Sequence, residues 1–288
     1  MPPNWWHHSQ SVWQEIFDYF CHSGNQEKEI RNGTNWTQIS IGRSNFSYRF
    51  VGNKTYFIQI INHSNNQFLP YERDVDLKKS ISAQSYSQIS PWLVTTLYQS
   101  KWGKIQSWFE SKPLRLHLKN DLKIIKTLAE FLAKLHSSEI KDLPQFNLEE
   151  HLKKYQKIAI SKTDDNEIHD QINKNLKTSL SLINNYESFA PCHYDLNLNN
   201  ILINEQNTRI KFIDWEYLCV GDPMLDISAI ISNSKFSIAQ SSKFIAYYRQ
   251  FLDAKIIRKI DTSEEKLADM VSLNNCIYKL WEYGQPLN

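Results

Sequence analysis

Within the run PCHYDLNLNNILI, His193 and Asp195 stand two residues apart, and Asn200 follows five positions after the aspartate. A second aspartate, Asp214, closes the next apolar run, KFID, nineteen positions after the first. Transfer of a phosphoryl group from ATP needs these side chains in this order. One carboxylate orients the attacking hydroxyl and accepts its proton, while an amide and a second carboxylate hold Mg2+ on the phosphates. Oxygen donors suit that hard cation, and two protein ligands leave positions for phosphate and water. The plainer reading is turn chemistry, because Asn and Asp bond their own backbone in tight turns. Three features agreeing in order favour the chemical one.

The elements that must position these residues can be read from periodicity. Ile201–Ile203 and Phe212–Ile213 read as short buried strands on either side of the polar loop. Upstream, Val12, Ile16, Phe17 and Phe20 share a helical face over residues 11–20. Three strand-like runs follow at 36–41, 46–51 and 55–61, with Gly52-Asn53 marking a hairpin between the last two. A helix is expected at about 71–85, and a further strand pair at 93–97 and 104–109. Leu122, Ile125, Leu128, Leu132 and Leu135 then mark a helix ending near His136, with more helices at 148–160, 169–186 and from 225 onward. A sheet-rich first third and a helix-rich remainder predict an α+β protein of two lobes, 1–106 and 107–288, joined near residues 106–111.

Composition bounds the function classes. The 288 residues are 41% hydrophobic and 13% aromatic, enough to fill a core, which excludes a disordered chain. Lys and Arg number 33 against 31 acids, a balance that gives no case for nucleic-acid binding. The four cysteines make no CxxC pair, so neither a zinc site nor a disulfide framework is expected and a cytoplasmic setting fits. The opening MPPNWWHHSQ lacks the pattern of a signal peptide, and no apolar run is long enough for membrane insertion.

The chain resembles the choline/ethanolamine kinase and thiamine kinase branch of the aminoglycoside-phosphotransferase superfamily over roughly residues 39–283. PCHYDLNLNNILI is similar to that family's catalytic loop, IDWEYLCVGDPMLDIS to its metal-binding segment, and LAEFLAKLH to a preceding helix. IGRSNFSYRF resembles its loop between the first two strands, and CIYKLWEYG its aromatic C-terminal helix. The resemblance implies a protein-kinase-like fold with a small antiparallel-sheet N-lobe and a larger, mainly helical C-lobe. It implies Asp195 as catalytic base, with His193 bracing the loop, Asn200 and Asp214 as magnesium ligands, and Asp226 as a structural acid. Gly42, Arg43, Ser44 and Asn45 would lie over the ATP phosphates, and Gln106 and Trp108 beside the adenine. Glu216 matches a position that faces the alcohol substrate.

Two positions depart from the family pattern. The basic residue of the third strand, which holds the α- and β-phosphates, aligns with Gln59, whose neutral amide lacks charge assistance toward phosphate. The acid of the following helix has no matching Glu; Asp74 or Asp76 could stand in, and Arg43 could replace the missing cation. Tyr278 and Trp281 share a helix face. With Trp215, Glu216 and Glu282 they could cage a cationic head group, though rings at helical spacing are more often core. The expected activity is ATP-dependent phosphorylation of the primary hydroxyl of a small cationic alcohol: thiamine, choline or ethanolamine, with thiamine slightly favoured. Aminoglycoside modification is disfavoured by the few clustered acids of the C-terminal half. Gln59 motivates the alternative, a binding module of the same fold without turnover.

Overall fold

Strict alternation of burial along Thr55–Ile61 fixes which of its side chains face the site. The computed structural model describes residues 2–39, 45–62, 88–114, 121–206 and 209–284. Helix α1 (Gln10–His22) is N-capped by Ser9, whose hydroxyl accepts from the Val12 N–H, and is followed by a short α2 (Glu27–Arg31). Strands β1 (Trp36–Ile39), β2 (Asn45–Val51) and β3 (Thr55–Ile61) come next, then β4 (Thr96–Ser100) and β5 (Gly103–Ser107). They form one antiparallel sheet in the order β1-β2-β3-β5-β4. Tyr56, Ile58 and Ile60 of β3 point to one face, where they share a core with Phe50, Ile105 and, from α1, Trp13, Ile16 and Phe20. A period of two then turns Phe57, Gln59 and Ile61 to the opposite face. Ser47 on β2 and Lys104 on β5 stand directly across from Gln59, so all three share that second face.

The β3–β5 pairing depends on a glycine. Gly103 has φ of 150°, and a Cβ there would lie 1.9 Å from the Gln59 carbonyl oxygen. No other residue allows β5 to run that close at this angle.

Residues 108–111 carry the chain out of the sheet into β6 (Lys112–Pro113), which pairs with a strand far along the sequence. Gln106, expected in the connection, lies inside β5 and donates from Nε2 to Thr96 Oγ1 at 3.0 Å. The larger core is mainly helical: α3 (Leu122–His136), α4 (Leu148–Ile160), α5 (Asn166–Leu182), α6 (Pro223–Asn233), α7 (Ile238–Phe251), α8 (Ala254–Ile257) and α9 (Glu264–Tyr283). Each starts on an Asp, Asn or Ser side chain that accepts from its own first turn. Leu122, the first residue of α3, is exposed, whereas Ile125, Leu128, Leu132 and Leu135 are buried.

Between α5 and α6 run four short strands: β7 (Ala190–Cys192), β8 (Ile201–Ile203), β9 (Ile210–Phe212) and β10 (Cys219–Gly221). β6, β8 and β9 make one small sheet; β7 and β10 make another. Phe212 stacks on Phe131 of α3 with ring centroids 3.5 Å apart, which anchors the small sheet to the helices. Ile89 and Leu93 also belong to this larger core although they precede β4. The helix expected at 71–85, with Asp74 and Asp76, lies outside the described residues, as do Gly42, Arg43 and Ser44. Among the described residues no helix is long and apolar enough to cross a membrane.

Gly103→Ala is expected to destabilise the protein by about 2–3 kcal/mol, since both strain and a backbone clash follow from one methyl group. Chemical unfolding monitored by circular dichroism measures this, and an unchanged midpoint contradicts the assigned strand approach.

Candidate active site

The loop after β7 is held by a single buried carboxylate. Asp226, on α6 and fully buried, accepts from the His193 N–H at 2.7 Å through Oδ2 and from the Tyr194 N–H at 2.8 Å through Oδ1. His136 of α3 reaches the same Oδ2 at 3.2 Å, and its other ring nitrogen meets the Tyr248 hydroxyl at 2.8 Å. Tyr194 itself sits at φ 61°, a left-handed conformation that costs a non-glycine residue of order 1–3 kcal/mol. Its hydroxyl meets Tyr186 at 3.0 Å and accepts from the Asp222 N–H. Gly221 leaves the room for it, because a Cβ there would lie 2.0 Å from that hydroxyl.

His193 is fully buried and joins two loops. Its Nδ1 accepts from the Asp195 N–H at 3.3 Å, which leaves Nε2–H to donate to the Ile213 carbonyl at 3.0 Å. Burial lowers its pKa to about 4 despite the opposing pull of Asp226, so the ring is neutral in that tautomer. Cys192 is buried with its thiol pushed well up by burial, which removes it as a nucleophile.

Asp195 and Asn200 meet. A single 3₁₀ turn, Leu198–Asn200, capped by the Asn197 side chain, returns Asn200 so that Nδ2 donates to the Asp195 carbonyl at 2.9 Å and to its Oδ2 at 2.7 Å. Asn197 Nδ2 donates to Oδ1 at 3.0 Å. Burial pushes the Asp195 carboxyl up to about 7, the two amide bonds pull it down, and the charges of Glu216 and Asp226 raise it further. With both N–H bonds of Asn200 spent on Asp195, its amide oxygen is the group left for a cation.

Asp214 follows β9 in a left-handed turn at φ 64°. Its carboxyl is raised well above the usual range by burial, then by Glu216 and Asp195, while Lys104 pulls it down. Its Oδ1 is buried with no hydrogen-bond partner. A buried orphan carboxylate oxygen, crowded by two further acids, is a donor set that fits a divalent cation. Asn200 and Asp214 therefore suit magnesium. Glu216 accepts from Asn45 Nδ2 at the start of β2, which ties the acidic loop to the sheet.

The remaining expected residues take other places. Gln59 faces the same side of the sheet as Ser47 and Lys104. Gln106 is buried and bonded along the sheet to Thr96. Trp108 carries the Arg49 guanidinium over its ring at 5.0 Å and donates from Nε1 to Glu110 at 2.8 Å. Trp215 turns beneath the loop, with its ring 4.5 Å from His193 and its N–H on the Phe212 carbonyl. The ring thus supports the loop from below. Tyr278 and Trp281 face each other at 5.8 Å on α9, Tyr278 being 58% exposed and Trp281 packed on the larger core. Glu282, the next residue, is exposed. Tyr194 and Asn197 escaped the sequence reading; the Asn two residues after Asp195 was the available signal for the second.

Residues 35–259 match the sequence pattern of the phosphotransferase enzyme family. The chain belongs to that family. Among members of known name, a LicA homolog of Metamycoplasma hominis is 29% identical over 134 residues, 46% of this chain and 52% of that protein. The chain thus spans about half the length of that relative. Among solved structures, choline kinase LicA from Streptococcus pneumoniae superposes with a TM-score of 0.71 at 19% identity, over 94% of this chain and 90% of its own. The Plasmodium vivax ethanolamine kinase gives 0.69 at 18% identity, over 97% and 85%. These likenesses establish a shared two-part phosphotransferase fold, with an antiparallel sheet preceding a mainly helical remainder.

Asp226→Ala leaves the backbone N–H groups of His193 and of the left-handed Tyr194, and the His136 ring, without their acceptor. It is expected to cost about 3–5 kcal/mol, the range for stripping one partner from a buried charged network. Urea unfolding measures the loss; a cost below about 1 kcal/mol contradicts the bracing role.

Proposed function

We propose that this phosphotransferase moves the γ-phosphoryl group of ATP to the primary hydroxyl of a small cationic alcohol. The observation that carries the reading is the contact of Asp195 with Asn200, whose carbonyl takes the Ile213 N–H one residue before Asp214, with Asp214 Oδ1 buried and unpartnered. Asp195 orients the alcohol and takes its proton as the oxygen attacks phosphorus; a carboxyl already raised to about 7 by burial is suited to that exchange near neutral pH. Asn197 and Asn200 fix its two oxygens, so the base does not rotate away from the hydroxyl. The Asn200 amide oxygen and Asp214 Oδ1 would hold magnesium, which when bound neutralises phosphate charge.

The class of acceptor follows from charge. Glu216 stands by Asp195 and Asp214 and raises the carboxyls of both, so three acids gather at this loop. A cationic alcohol is favoured there and an anionic one is repelled. Choline and ethanolamine fit this description, and the choline kinase and ethanolamine kinase of the same fold support them. Thiamine carries the same combination of cation and primary hydroxyl and stands third.

With MgATP and a panel of choline, ethanolamine and thiamine, ADP release is expected with at least one alcohol. Asp195→Asn keeps the shape and removes the proton acceptor, so turnover should fall by about 10²–10⁴-fold while ATP affinity stays within a few-fold. Turnover near that of the parent contradicts the role of Asp195. Nucleotide binding without ADP release from any alcohol, in the parent, favours the binding module that Gln59 suggests.

A further inference from the structure

The sheet face that looks toward Asp214 carries a neutral amide, Gln59, at its centre. A nucleotide's phosphates leave three or four negative charges beside an acidic loop, and Gln59 can meet them only with an uncharged hydrogen bond. The cation must come from elsewhere. Other cations are engaged: Arg49, two residues along the strand from Ser47, lays its guanidinium over Trp108 with its Nε buried and unpartnered. The Lys211 ammonium donates to the Pro91 and Leu93 carbonyls, and Lys266 pairs with Asp222.

Lys104 is placed differently. It stands directly opposite Gln59 in the β3–β5 register, so its side chain rises from the same face beside it. Ile105, the next residue, is buried in the core behind the sheet, which fixes the direction of Lys104 away from that core. Gly103 lets the two backbones come so close at this point that a Cβ would strike the Gln59 carbonyl. Asn45, two residues before Ser47 on the same face of β2, donates to Glu216, so this face of the sheet looks onto the loop that carries Asp214 and its orphan oxygen. Among the described residues Lys104 forms no ion pair. A lysine on its flexible stem is a point charge suited to phosphate.

We propose that Lys104 is the phosphate-binding cation of this protein, supplied from β5 to occupy the space that a basic residue at position 59 would otherwise fill. The assignment rests on the phosphotransfer reading, because it needs a nucleotide whose phosphates lie between the sheet and Asp214. Moving the charge by one strand keeps it on the same face and at the same level, so Gln59 and Lys104 form an exchangeable pair.

The test is calorimetric titration of the whole protein with MgATP and, separately, with adenosine, which lacks phosphate. Lys104→Met is expected to weaken MgATP binding by about 10- to 100-fold, the span for one charge-assisted contact, and to leave adenosine binding nearly unchanged. Adding Gln59→Lys to that variant is expected to restore most of the MgATP affinity. Equal MgATP affinity in Lys104→Met and the parent overturns the assignment while leaving the phosphotransfer reading standing. So does an equal loss for MgATP and adenosine, which marks Lys104 as structural. A parent that binds adenosine but gains nothing from the phosphates overturns the phosphotransfer reading and the assignment with it.

Discussion

The site hangs on one carboxylate. Asp226 is fully buried, yet it satisfies the N–H groups of His193 and Tyr194 and a ring nitrogen of His136. An unpaired buried charge is costly, so these donors and Asp226 hold one another in place. The grip keeps Tyr194 in a left-handed turn and delivers His193 to the Ile213 carbonyl, one residue before Asp214. The loops bearing Asp195 and Asp214 are thereby locked to each other through a neutral imidazole. Because His136 comes from α3 and Asp226 from α6, the register of the loops is set by how those helices pack.

That rigidity matters because the site is electrostatically unfavourable by itself. Asp195 and Asp214 lie where burial already disfavours charge, Glu216 raises both further, and Asp214 keeps an oxygen without a partner. Such a group contributes little to stability, and its arrangement makes sense as preparation for a cation. The sheet lowers part of the cost from the other side: Asn45 donates to Glu216, and Lys104 draws on Asp214. These contacts carry the electrostatic account across from β2 and β5 to the loops after β8 and β9.

Local pattern made much of this readable in the sequence. Thr55–Ile61 alternates so regularly that both the limits of β3 and its two faces follow from spacing. The spacing of Asp195, Asn200 and Asp214 reflects a turn and a short β8–β9 pair that bring distant positions together. What escaped was long-range. Gln106 falls in both the expected strand 104–109 and the expected connection 106–111, because a period of two does not say where a strand ends; the strand stops at Ser107, and Thr96 takes the Gln106 amide. Trp215 was read as a cage ring beside Glu216, but the left-handed turn at Asp214 sends the ring under the loop onto His193. Ile89 and Leu93 join the helical core, Leu93 by a bridge to Phe212 that no local pattern announces.

We infer that Asp195, Asn200 and Asp214 act together to move phosphorus from ATP onto an alcohol oxygen. Phosphorus NMR of the protein with MgATP and choline, repeated with ethanolamine and thiamine, tests it most directly because it reads the product itself. The account predicts growth of a phosphate-ester resonance in step with ADP for at least one alcohol, and neither from Asp195→Asn. ADP accumulating with free phosphate and no ester, or a nucleotide spectrum unchanged with all three alcohols, would contradict it.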